Sequence, residues 1–320
     1  MPYIKHQALK IYHHLSDFKK LENAVVTIGT FDGVHFGHRK IVSRLVETAN
    51  ATGGETVILT FFPHPRLIID PENQELKMIN TINEKAAILE SLGVNHLIIT
   101  PFTRDFSNLS PDEYINQVLV DTIGVKHIIV GYDHRFGKDR KGCMEDLINA
   151  GKVQGFDVEE IPEQDIHDVA VSSTQIRRAL LSGDVALAAT YLGYHFSLKG
   201  RVIKGDKIGR TIGFPTANIF VEESYKLIPA DGIYAVTVDL NEGSFKGMAY
   251  IGQRPTINGM TRNIEVNIFD FSQEIYGQDI TMTFMEFLRH DVKFTGLEAL
   301  KVQLQQDKED TLAFFNKMSN

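Results

Sequence analysis

Thr27–His38 reads TIGTFDGVHFGH, two histidines three residues apart in a glycine-punctuated segment that follows the apolar run AVV. The apolar run predicts a strand ending near Thr30, Gly29 and Gly33 suit a tight turn, and the helical period of HRKIVSRLVETAN starts a helix close to Gly37. A helix N-terminus offers unpaired N–H groups and a positive dipole end, which favours anions. Gly37 lets a ligand approach the backbone. His35 and His38 can donate from their rings to phosphate oxygens, the more so if the local field raises their protonated fraction. Taken alone, HxGH fits a triphosphate site and fits equally a turn that happens to hold histidines.

The same alternation continues outward from this loop. VVTIGT, TVILTFF, HLIIT, HIIVG and FDVEEIP read as strands, and HRKIVSRLVETAN, NEKAAILESLG, SPDEYINQVLVDTIG and MEDLINAGKVQG read as helices. Strands apolar along their whole length are covered on both faces, so the first half is expected to be an α/β, Rossmann-like open parallel sheet with ligands at the strands' carboxyl ends. Beyond LLSGDVALAATYLGYHF the rhythm changes. FSLKGRVIKG, GIYAVTVDL, SFKGMAYIG, NIEVNIFDF and DITMTFMEFL are β-rich segments separated by Gly, Asn and Pro, predicting an antiparallel barrel or sandwich. The closing GLEALKVQLQQDKEDTLAFFNKM has helical spacing and can lie across it. The boundary is placed in residues 182–190, giving domains 1–185 and 186–320.

Length and charge narrow the partners. A chain of 320 residues, 43% hydrophobic and 23% charged, can bury two cores without disulfide or metal staples. The formal charge of −8 argues against nucleic acid as a partner, because phosphate backbones require a basic face. A phosphate ligand must then be held locally. The single cysteine, Cys143, and an N-terminal stretch lacking the apolar core of a secretory signal point to a reducing cytoplasm; no apolar run is long enough for a membrane span.

VSSTQIRRAL, Val171–Leu180, supplies the complement to the histidine loop. Ser172, Ser173 and Thr174 can cap a helix while offering hydroxyls, and Arg177 adds charge. With FDGVHFGH after a strand, the pair resembles the nucleotidylyltransferase superfamily. The resemblance implies attack of an acceptor on the α-phosphorus of a nucleoside triphosphate, with loss of pyrophosphate and no protein nucleophile. It implies ATP contacts from Gly29, Thr30, Phe31, Asp32, Gly33, His35, His38, Ser172, Ser173, Thr174 and Arg177, with His35, His38 and Arg177 catalytic. TFFPHP (Thr60–Pro65) and GYDHRFG (Gly131–Gly137) also fall at the sheet's carboxyl edge. Together these segments resemble the adenylyltransferase module of bacterial bifunctional riboflavin kinase/FAD synthetases, which implies flavin contacts from Phe62, Pro63, Pro65, Asp133 and Phe136.

That family's second module is a β-barrel kinase with a GxPTAN loop, and this chain has GDKIGRTIGFPTANI at Gly205–Ile219. Gly205, Gly209 and Gly213 allow close backbone approach, and Pro215 fixes the chain so that Thr216 and Asn218 present oxygens together. Hard oxygens of this kind suit Mg²⁺ on a nucleotide's phosphates. The resemblance implies kinase ATP contacts from Gly205, Gly209, Gly213, Pro215, Thr216 and Asn218, Mg²⁺ at Thr216 and Asn218, and a flavin contact from Arg289.

In NIEVNIFDF, alternation puts Ile264, Val266 and Ile268 on one face and Glu265, Asn267 and Phe269 on the other. By family position Glu265 accepts the proton of the riboflavin 5′-hydroxyl. Asn267 stands where a histidine is common in the family, and His134 where an aromatic residue is common. The terminal KMSN is read as a tail. The implied substrates are riboflavin, FMN and ATP, the final product FAD, and the expected state a monomer or weak homo-oligomer. A flavin sensor or carrier with idle sites, and a nucleotidylyltransferase with another acceptor, are the competing readings. Retention of both phosphate motifs and Glu265 weighs against the first, and the intact GFPTAN against the second.

Overall fold

The run Ala24–Ile28 is buried at all five positions, as a strand covered on both faces must be. It is β2 of a six-stranded sheet completed by β1 (Lys10–Tyr12), β3 (Glu55–Phe61), β4 (His96–Thr100), β5 (Val125–Gly131) and β6 (Asp157–Ile161). The order is β1-β4-β3-β2-β5-β6 and each pairing is parallel. Successive side chains of β2 serve two different cores. Val26 and Ile28 pack with Leu119, Ile128 and Val130, whereas Val25 packs with Ile41, Leu45, Leu89 and Ile129. From β2 the chain steps outward through β3 and β4, then crosses to β5 and β6 on the other side. The switch in direction lies between β2 and β5, the place where open α/β sheets leave a crevice at their carboxyl edge.

The structure is a computed structural model that describes residues 8–318 other than 71, 73–75, 163–170, 206, 207, 257 and 258. Two local features depart from the sequence expectation. The segment Lys10–Tyr12, not anticipated as a strand, pairs with β4 at the sheet's edge. The SPDEYINQ segment opens as one short α-turn, Pro111–Glu113, closed by a Ser110–Glu113 capping box, and continues as a π-helix over Tyr114–Ile123. Its wider turn brings Tyr114 and Leu119, then Val118 and Ile123, five residues apart, onto the buried side.

The chain divides into two compact units, Met1–Ser173 and Thr174–Asn320, a line that falls ahead of the 185/186 boundary expected from sequence. In the second unit β7 (Ser197–Ile203), β8 (Ala217–Phe220), β9 (Gly232–Leu240), β10 (Gly243–Thr256), β11 (Gly259–Ile268) and β12 (Asp279–Arg289) close into an antiparallel barrel, in the order β10-β11-β8-β7-β12-β9. Closure removes the unpaired strand edges. The short β8, inside the GFPTANIF segment, is the strand that the sequence pattern did not separate. The helix Leu297–Met318 packs on β9, β10 and β12. Lys317 and Met318 are its last turn rather than a tail, and Ser319 and Asn320 lie outside the described residues.

Candidate functional site

In the first unit the loop after β2 is held in a conformation that side chains rarely adopt. Phe31 (φ 45°), Gly33 (φ 87°) and Val34 (φ 34°) are all left-handed, and Phe31 and Val34 are buried, which is what keeps two non-glycine residues there. His35 caps helix α1 (Phe36–Thr52), its Nδ1 accepting from the His38 N–H at 3.5 Å. A neutral ring accepting at Nδ1 carries its proton on Nε2, so His35 keeps a donor. The two rings stack, centroids 3.7 Å apart. Buried His38 Nδ1 has no hydrogen-bond partner among the described residues.

The local field does not raise the protonated fraction of either histidine. Burial lowers His35 to about 4. It lowers His38 well below the usual range, with the charges of His35 and Lys85 acting in the same direction. Desolvation disfavours the charged form and no carboxylate compensates it. The pair is therefore neutral at pH 7 and offers ring N–H groups rather than imidazolium charge.

Asp32 is 2% exposed and braces the loop: its carboxylate accepts from the Ile79 N–H at 3.0 Å and the Asn80 N–H at 3.4 Å. Its backbone carbonyl accepts from Ser173 Oγ at 2.9 Å. The two sequence motifs, placed at opposite ends of the domain by sequence, thus meet at Asp32. Ser172 immediately precedes the helix Ser173–Leu181; Thr174 and Arg177 follow within it and belong to the second unit. Gly29 donates its N–H to the Leu59 carbonyl of β3. Thr30 presents its carbonyl to two donors, Thr60 Oγ1 at 3.2 Å and Lys85 Nζ at 2.7 Å.

Along the carboxyl ends of β3, β4 and β5 runs a chain of rings: Phe61 touches Phe102 and Phe106, Phe106 touches Tyr114, Tyr114 touches Phe136, and Phe136 stacks with His134. Phe136 is itself buried, packed where a Cβ on Gly142 would lie 2.6 Å from its ring. Asp133 is exposed, Phe62 is partly buried, and Pro65 opens the short helix Pro65–Ile69 behind the cis Phe62–Pro63 bond. Burial lowers His134 to about 4, and its Nε2 is buried with no hydrogen-bond partner among the described residues.

In the second unit the wall of a cavity of about 350 Å³ includes Thr216, Glu265, Asn267, Tyr250 and Arg289. Glu265 Oε2 accepts from Thr216 Oγ1 at 2.9 Å and Oε1 from Asn263 Nδ2 at 2.6 Å. Asn218 lies directly opposite Glu265 in the β8–β11 register. Asn267 donates to the Pro215 carbonyl at 2.6 Å and so braces the proline that positions Thr216. The far face of β11 is not solvated: Asn267 and Phe269 are 7% and 5% exposed, because the terminal helix roofs that side through Leu304 and Leu312.

The glycines of the GFPTAN loop answer to their own chain. A Cβ on Gly209 would meet the Phe214 carbonyl at 2.2 Å, one on Gly205 would meet the Asn218 amide at 2.1 Å, and Gly213 has φ 86°. Asp206 and Lys207 lie outside the described residues. Arg289 grips Asp307 of the terminal helix through two bonds of 2.7 Å, and Asp307 is 1% exposed.

Sequence reasoning missed Lys85, Asn263 and Asp307. Each carried a signal: a charged residue on a stripe otherwise uncharged (Lys85 with Ala86 and Leu89; Asp307 with Thr311 and Phe315), or two positions from Glu265 on the same strand face.

Comparison with known proteins follows the same division. Residues 17–175 match the FAD synthetase family and residues 192–315 the riboflavin kinase family. The bifunctional riboflavin kinase/FMN adenylyltransferase of Listeria monocytogenes is 40% identical over 93% of this chain and 94% of its own. That of Bacillus subtilis is 36% identical over 96% of each. A crystal structure described as a macrolide-efflux protein from Streptococcus pneumoniae superposes with a TM-score of 0.87 at 32% identity, covering 95% of this chain and 98% of that one. The chain belongs to the bifunctional riboflavin kinase/FMN adenylyltransferase family, an FAD synthetase domain followed by a riboflavin kinase domain.

Proposed function

We propose that the barrel carries the first of the two reactions, riboflavin plus ATP to FMN and ADP, and the parallel-sheet unit the second, FMN plus ATP to FAD and pyrophosphate. The observation that carries this division is that each unit builds a polar site from its own elements: the stacked histidines at the β2/β5 switch point in one, the Thr216–Glu265–Asn263 clamp on a cavity wall in the other. Arg177 and Thr174 are assigned to the adenylyl-transfer site and hence to a functional domain 1–185, with 186–320 as the kinase domain. The gap between the two family matches supports a boundary past residue 175.

In the barrel, Glu265 accepts the proton of the riboflavin 5′-hydroxyl as that oxygen attacks the γ-phosphorus. Thr216 and Asn263 hold its carboxylate in place. Arg289, locked by Asp307, forms the cavity wall against the flavin. The residue types around Glu265 fit Mg²⁺: the Thr216 hydroxyl meets the Glu265 carboxylate, Asn218 stands opposite Glu265 in the strand register, and the missing Cβ of Gly205 leaves room for the Asn218 amide. Thr216 and Asn218 would hold the ion, which neutralises phosphate charge when bound.

In the parallel-sheet unit an FMN phosphate oxygen attacks the α-phosphorus of ATP. The α1 N-terminus, His35 and His38, with Ser172, Ser173, Thr174 and Arg177, stabilise charge on the transferring and leaving phosphates. The ring series from Phe61 to His134 forms the wall for the isoalloxazine, with Phe62, Pro63, Pro65 and Asp133 at its mouth and Phe136 backing it. Cytoplasmic location, a monomeric or weakly oligomeric state and the absence of nucleic-acid or membrane partners complete the reading, in keeping with the charge of −8. Incubation with riboflavin, ATP and Mg²⁺ followed by chromatography of the flavins tests it. FMN should appear first and FAD after it; unchanged riboflavin would leave a flavin-binding role without catalysis.

A further inference from the structure

The helix Ile82–Ser91 turns a lysine toward the core. Lys85 is 5% exposed and shares its buried stripe with Ala86 and Leu89. An ammonium taken out of water is costly unless its position serves it, and a leucine or methionine would fill the same space at no such cost. What Lys85 meets there is the histidine loop. Its Nζ donates to the Thr30 carbonyl at 2.7 Å, the same oxygen that accepts from Thr60 Oγ1 of β3. Two donors thus pin the backbone where β2 ends, one residue before the left-handed Phe31.

The charged and titratable groups facing Lys85 are the Asp32 carboxylate of the loop and the His38 ring of α1. Asp32 is already engaged by the Ile79 and Asn80 N–H groups. Only one of the three ammonium hydrogens has an acceptor among the described residues. The strained turn, the neutral histidine pair and an incompletely matched buried cation therefore occupy one spot.

We propose that Lys85 is a positioning residue for adenylyl transfer. It clamps the Thr30 carbonyl beneath the Phe31–Val34 turn, so that the His35–His38 pair and the α1 N-terminus meet the triphosphate in a fixed geometry, and its charge is completed by the arriving anion. The inference rests on assigning the Thr27–His38 loop to ATP. Burial lowers the ammonium to about 8 against the pull of Asp32, so the free enzyme loses this charge as pH rises through about 8. An arginine at the same place stays charged throughout that range.

The test uses the full chain with Lys85→Met, Lys85→Arg and, in parallel, His38→Ala. FAD formation from FMN and ATP is measured against pH, alongside riboflavin phosphorylation and the melting temperature. Lys85→Met should lower kcat for adenylylation roughly 100-fold, more than it changes KM for ATP, while phosphorylating riboflavin at the parental rate. The parental kcat/KM should fall on an alkaline limb near pH 8, and Lys85→Arg should recover activity to within roughly 10-fold and lack that limb. Parental adenylylation by Lys85→Met beside an inactive His38→Ala would overturn the role of Lys85 while leaving the loop assignment standing. Parental activity in both would remove the loop assignment and this inference with it. An unchanged limb in Lys85→Arg would also overturn it, as would a loss in Lys85→Met matched by the fraction unfolded.

Discussion

The two sites proposed for ATP are built from opposite materials. The site at β2 is drawn largely from one continuous stretch, residues 29–38, and relies on backbone N–H groups, two neutral stacked imidazoles and a strained turn. The barrel site is assembled from separate strands: Thr216 ahead of β8, Asn218 within it, and Asn263 and Glu265 on β11, aligned by register rather than by sequence proximity. The chemistry explains the contrast. Adenylyl transfer needs charge stabilisation around a phosphate that is already anionic, a task to which a helix N-terminus and neighbouring ring N–H groups contribute without a proton acceptor. Phosphorylation of a hydroxyl needs a proton acceptor as well, and a carboxylate can serve only if other strands orient it.

The largest expected effect breaks the barrel site alone. Glu265→Gln keeps the size of the side chain and its place beside Thr216 but removes the carboxylate, so riboflavin phosphorylation should fall by roughly two to four orders of magnitude. FAD formation from supplied FMN should persist. Near-normal phosphorylation by the folded variant removes Glu265 from the mechanism.

His38→Ala is the mirror experiment, with a loss of roughly two to three orders of magnitude in adenylylation. Riboflavin should still become FMN and accumulate there, and Arg177→Ala should give the same pattern. A histidine of purely structural importance would lower the melting temperature and leave turnover per folded molecule intact. Smaller again is the effect of Thr216→Ala or Asn218→Ala, each weakening ATP binding in the kinase assay by roughly 10-fold, and mainly when Mg²⁺ is present. Equal weakening with and without the ion would take these two residues out of the metal site.

The smallest effect sharpens the contrast through pH and stability. His35 and His134 are folded with values near 4 against an ordinary 6.5, so the unfolded chain binds their protons first as pH falls. Their contribution to stability is fully present above 6.5 and is lost progressively down to about 4, by up to about 3 kcal/mol each. The His134→Phe variant should show a shallower acid loss in the unfolding of the first unit. An unchanged slope would mean that His134 is protonated in the folded protein.

Much of this was legible in the chain because it is local. Apolar runs such as Ala24–Ile28, the histidine loop, the GFPTAN segment and the alternation around Glu265 are properties of neighbours in sequence, fixed by strand and helix periodicity and by glycine and proline stereochemistry. The same locality identified Thr216 and Asn218 as candidates, and the family resemblance pointed to Glu265, but neither could place a third partner, Asn263, on the carboxylate. Packing five residues apart, which turned Tyr114–Ile123 into a π-helix, was likewise hidden behind an ordinary helical pattern.

By itself the sequence determined the succession of a parallel-sheet part and an antiparallel barrel, and it nominated the segments proposed to bind phosphate. Only the tertiary structure decided the charge state of His35 and His38, since desolvation depends on what is packed around a ring and not on its neighbours along the chain. The same holds for bonds between distant positions: Lys85 on Thr30, Ser173 on Asp32, Asp307 on Arg289. Each joins residues from separate elements, and their meeting is set by how sheet, helix and barrel bury their apolar faces, a property of the whole fold that no short stretch contains.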